Sequence, residues 1–66
     1  LNSLNVNYYY YHTMFKYRCL LESGRDFVLT TDIKDETERA YEMGFQAYNE
    51  AALMDDYLID VERIDD

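Results

Sequence analysis

Sixty-six residues, with 14 acidic against 6 basic and a net charge of −8, make one small acidic domain. A chain this short buries only about 60% of the surface it exposes when unfolded, so it calls for an extra source of stability. The lone Cys19 excludes a disulfide framework, and Cys19 with the lone His12 cannot complete a tetrahedral zinc staple, which leaves a partner subunit.

Residues 1–13 (LNSLNVNYYYYHT) are rich in Asn and Tyr, and only His12 among them can carry a side-chain charge. They read as an N-terminal arm set apart from a single α+β domain at 14–66. Two origins fit them: a native dimerising arm, or upstream sequence from a wrongly assigned reading frame. From Val6 to Glu22 there is neither Pro nor Gly. Seventeen extended residues would span roughly 56 Å at about 3.3 Å each, far beyond a usual strand. The arm therefore bends near His12–Met14, projects beyond its own domain, or returns as an extra strand.

Residues 14–22 (MFKYRCLLE) alternate, with Phe15, Tyr17, Cys19 and Leu21 on one face and Lys16, Arg18 and Leu20 on the other. Residues 25–33 (RDFVLTTDI) do the same, with Phe27 and Leu29 opposite Val28 and Thr30. For the apolar sets to share a face, the intervening loop must hold an odd number of residues. Glu22-Ser23-Gly24 satisfies this, with Gly24 where a type I turn plus bulge wants a left-handed residue. The expected pairs are Leu21 with Arg25, Cys19 with Phe27, and Tyr17 with Leu29.

Residues 35–54 (DETERAYEMGFQAYNEAALM) predict a helix, capped by Asp35 with Glu38 three residues on. Ala40, Gly44, Ala47 and Ala51 form a stripe of small residues expected to sit against the sheet. Tyr41, Tyr48 and Ala52 would flank it on one side and Met43 and Met54 on the other, with Glu38, Glu42, Gln46, Asn49 and Glu50 in water. Close approach of helix and sheet would then explain Gly44. Residues 57–64 (YLIDVERI) predict a third strand, with Tyr57, Ile59 and Val61 inward and Leu58, Asp60 and Glu62 outward. Placing it beside the first strand brings Lys16 and Arg18 near Asp60 and Glu62. The predicted architecture is β-β-α-β, a three-stranded antiparallel sheet of order 2-1-3 with one helix on one face. Its expected core is Phe15, Tyr17, Cys19, Leu21, Phe27, Leu29, Ala40, Gly44, Ala47, Ala51, Ile59 and Val61.

Charge is unevenly spread. Residues 1–31 hold three bases against two acids, and residues 32–66 hold twelve acids against three bases, a net of −9. A field of that sign repels phosphate backbones and anionic membrane surfaces. No segment resembles a signal peptide or a membrane span, and an uncrosslinked cysteine suits a reducing compartment, so the cytoplasm is the expected location. Catalytic and cofactor signals are lacking: Cys19 and His12 fall on opposite strand faces, the acids near Asp35 suit a helix start, and no glycine-rich phosphate loop occurs.

The expectation is a non-enzymatic protein-interaction protein acting as a homodimer, from a phage or another compact genome, with no cofactor, metal or nucleic-acid partner. The candidate interface is Val6, Tyr8, Tyr9, Tyr10 and Tyr11 on the arm, with Leu20, Val28 and Leu58 on an open sheet face. The alternative is an acidic nucleic-acid mimic that inhibits a DNA- or RNA-binding enzyme, motivated by Glu38, Glu42, Glu50, Asp55, Asp56, Asp65 and Asp66.

Overall fold

Alternation in the sequence becomes an antiparallel sheet in the computed structural model, which describes residues 14–65. Strands β1 (Phe15–Leu21) and β2 (Asp26–Thr31) form the hairpin, helix α1 spans Glu36–Leu53, and β3 is Leu58–Arg63. The sheet order is β2-β1-β3 and both pairings are antiparallel, as the pattern predicts. Cys19 faces Phe27 and Tyr17 faces Leu29, so the odd-loop argument gives the observed register. The Leu21 N–H donates to the Arg25 carbonyl at 2.9 Å, and Gly24 takes φ 93°, a conformation that costs a residue with a Cβ.

Asp35 caps α1, its carboxylate accepting the Glu38 N–H at 2.9 Å. The other end closes through Asp55, whose φ of 54° lets the Asp55 and Asp56 N–H groups reach the carbonyls of Ala52 and Ala51, both at 3.0 Å. That left-handed stop is usually a glycine; Asp tolerates it better than most.

The core is thin: Cys19, Leu21, Met43, Ala47 and Ala51 are fully buried, with Thr31 and Arg39 beside them. Phe15, Tyr17, Phe27, Leu29 and Val61 are half-buried, on the expected side of the sheet. Three residues of the expected core need correction. The buried stripe of α1 runs through Arg39, Met43, Ala47 and Ala51, so Ala40 is exposed and the helix is turned toward its Arg39–Met43 side. Gly44 is only half-buried, and a Cβ built on it meets nothing within 4 Å, so close approach does not explain it. Ile59 is not core but 60% exposed. The cause is a slip in the β1–β3 register: Leu20 faces Asp60, yet Leu21 faces Leu58, which leaves Ile59 as the extra residue of a bulge. The bulge reverses the parity of the strand's start, and Leu58 joins Leu21 on the helix side.

Candidate interaction surfaces

Three regions of this fold carry side chains beyond what the core needs. The first is a polar lock between the hairpin tip and the α1–β3 connection. Asp56 Oδ2 accepts from Arg25 Nη2 at 2.8 Å and from the Ser23 hydroxyl, and its Oδ1 accepts the Tyr57 N–H at 2.8 Å. Arg25 Nη2 also donates to the Met54 carbonyl at 3.0 Å, supplying the cation that the last turn of α1 lacks. These bonds, the Ser23 hydroxyl foremost, hold the Asp56 carboxyl down at about 2, from an ordinary 3.8. A second carboxylate, Asp65, is lowered to about 2 by Arg63, which donates to it from Nε and Nη2 at 2.8 Å each. The Lys16 N–H also donates to Asp65 Oδ1 at 3.1 Å. Two acids of the nucleic-acid-mimic set, Asp56 and Asp65, are thus engaged within their own chain.

The second region is the sheet. Of the predicted interface residues, Leu20 (half-buried) and Val28 (exposed) do share the open face, whereas Leu58 lies beside α1 and not with them. Between Leu20 and Val28 stand Arg18 and Asp26, ion-paired at 2.8 Å. Arg18 faces Glu62 across β3, as expected, but its guanidinium turns to Asp26, and Asp60 faces Leu20 and not a base. The outer edges differ. β3 carries the Ile59 bulge and Asp60, Glu62 and Arg63, all features that discourage pairing with another chain. β2 is uncharged from Phe27 to Thr31 and has neither bulge nor proline. Because the Leu21–Arg25 bond closes the hairpin, alternation directs the Asp26, Val28 and Thr30 backbone groups to the edge that no other described strand occupies. Val6, Tyr8, Tyr9, Tyr10 and Tyr11 lie outside the described residues.

The third region is the outward side of α1. Tyr41, Phe45 and Tyr48 are 74%, 55% and 67% exposed, and with Ala52 they follow steps of four, three and four. Such spacing makes one stripe, roughly 16 Å long at 1.5 Å per residue. Exposed Tyr57 extends it, and Tyr48, Ala51, Ala52, Asp55, Asp56, Tyr57 and Leu58 line a hollow of about 290 Å³ at its end. Tyr41 and Tyr48 were expected to reach down to the sheet. They cannot, because the helix is turned to bury Arg39 and Met43. Phe45 entered none of the expectations, although its spacing from Tyr41 and Tyr48 was a readable signal of a second apolar face.

No protein-family model, curated protein or solved structure matches this chain. Among the described residues, no cluster of three or more His, Cys, Asp or Glu is arranged to hold a metal ion, and no helix is long and apolar enough to cross a membrane.

Proposed function

We propose that this chain is a non-enzymatic protein-interaction protein that works as a homodimer, with β2 as the pairing edge. The observation that supports this most is the contrast between the two sheet edges: β3 is guarded by charge and a bulge, and β2 is not. A two-fold pairing of β2 with its copy would join two three-stranded sheets into one and satisfy edge groups that a monomer leaves to water. β2 also belongs to the half of the sequence whose net charge is near zero, and carries no charge of its own from Phe27 to Thr31. A helix that is apolar on two sides gives the same protein a further surface for partners.

Sedimentation equilibrium of the full chain tests the dimer, with Val28→Lys placing a charge on the pairing edge. A dimer at tens of micromolar that Val28→Lys dissociates, with an unchanged circular dichroism spectrum, supports the reading. A wild-type monomer refutes it. A chain that starts at Met14 separates the two routes to self-association: persistence of the dimer assigns it to β2, and loss assigns it to residues 1–13.

A further inference from the structure

The outward stripe of α1 has a chemistry that narrows what can cover it. Tyr41, Phe45 and Tyr48 offer three aromatic faces in line. Aromatic anchors of this kind dominate protein interfaces, and they lie here on a rigid helix and not on a loop. Beside them along one flank run Glu38, Glu42 and Asn49, and Asp55 and Tyr57 stand at the hollow. Asp55 makes no ion pair among the described residues. The helix has a single basic residue, Arg39, and that is buried on the opposite side.

A second copy is a poor occupant. It would bring a second acidic helix, with its own Glu38, Glu42 and Asp55, onto the same surface, with no exposed helix cation to offset the repulsion. All four arginines are already committed within the chain: Arg18 to Asp26, Arg25 to Asp56, Arg63 to Asp65, and Arg39 to the carbonyls of Ile33 and Lys34. Nucleic acid and anionic lipid are repelled by the same carboxylates. What fits is a protein segment with apolar residues at helical spacing and cations along its border.

We infer that the Tyr41–Phe45–Tyr48 face of α1 is a docking site for a basic amphipathic helix of another protein. Its apolar ridge lies along the aromatic stripe, and one Arg or Lys enters the hollow between Tyr48 and Tyr57, near the Asp55 carboxylate. Rings and carboxylate together suit a guanidinium or ammonium, which is drawn to aromatic faces as well as to charge. This rests on the chain being an interaction protein but not on its pairing through β2.

Selection from a displayed library of random peptides, each about 16 residues long, tests the inference on the full-length protein. The selected peptides should carry apolar residues at steps of three and four together with Arg or Lys. Their binding should weaken as salt rises. Phe45→Asp and Tyr48→Ser should each weaken it on the order of tenfold, the scale of a lost interface anchor. Both residues are exposed, and an unchanged circular dichroism spectrum shows that the fold is intact. The same Phe45→Asp protein in the ultracentrifuge should self-associate like the wild type, which keeps this test apart from that of the β2 dimer. Acidic or uncharged selected peptides, equal binding to both variants, or a change in self-association on Phe45→Asp would overturn the assignment.

Discussion

Arg39 places its guanidinium 3.9 Å from the centroid of the Phe15 ring, inside the protein and without a carboxylate partner among the described residues. Its hydrogen bonds go to neutral acceptors: Tyr17 Oη at 2.8 Å, and the Ile33 and Lys34 carbonyls at 3.0 Å each. One side chain thus ties the first turn of α1 to β1 and to the loop that precedes the helix. Arg39→Ala would leave a void and strip three acceptors of a donor. A loss of about 2–4 kcal/mol is expected, measured by urea unfolding. Arg39→Lys should fall between, because an ammonium cannot reach all three acceptors and cover the ring at once. A loss under about 0.5 kcal/mol for Arg39→Ala would show that the network is not structural.

Gly44 sits mid-helix with open space where a side chain would go. Overpacking is therefore not the expected result of filling it. Gly44→Ala should stabilise the protein by about 1 kcal/mol, the propensity difference between the two residues in a helix interior. Thermal unfolding reads this directly, and a lower midpoint would mean that something covers Gly44 in solution.

The hairpin, its register and the helix start were legible because each follows from a local rule. Parity joins Cys19 to Phe27, a left-handed site wants Gly24, and a helix wants a cap such as Asp35. The Ile59 bulge was not legible: a single inserted residue leaves the alternating pattern intact while exchanging which half of β3 faces the helix. The rotation of α1 was hidden for another reason. Charge normally excludes a residue from the core, so Arg39 has no place in the predicted stripe, and the small residues Ala40 and Gly44 stand there instead. Only the placement of Phe15, Tyr17 and two carbonyls around one point shows that a buried guanidinium is satisfied there. The outward aromatic stripe follows from that same rotation.

Cys19 lies at the centre of the core, opposite Phe27 on one side and Val61 on the other. Burial raises its thiol pKa, which depletes the thiolate that reacts with disulfide reagents. In native buffer the thiol should stay unmodified through times at which a free cysteine reacts to completion, and it should react fully in denaturing urea. Rapid native labelling would mean that β1 opens locally far more often than its central position implies.

Acid should open the lock between the hairpin tip and the end of α1. The Asp56 carboxyl sits at about 2 when folded against an ordinary 3.8, held down by the Ser23 hydroxyl, the Tyr57 N–H and Arg25. A depressed acid contributes stability above its unfolded value and loses it as pH falls through the folded one. The loss therefore begins near pH 5 and is mostly complete by about pH 2, and Asp65 follows the same course with Arg63 as its chief partner. Asp56→Asn isolates the first of these. At pH 7 the variant should be less stable than the wild type, since an amide cannot offer Arg25 and Ser23 a charged acceptor. As pH falls from about 5 to about 2 the wild-type carboxyl takes up its proton and the two proteins should converge, as read by urea midpoints at successive pH values. A stability gap that is constant from neutral pH to pH 2 would mean that the Asp56 contribution comes from packing, and that its charge does not hold the hairpin to the helix.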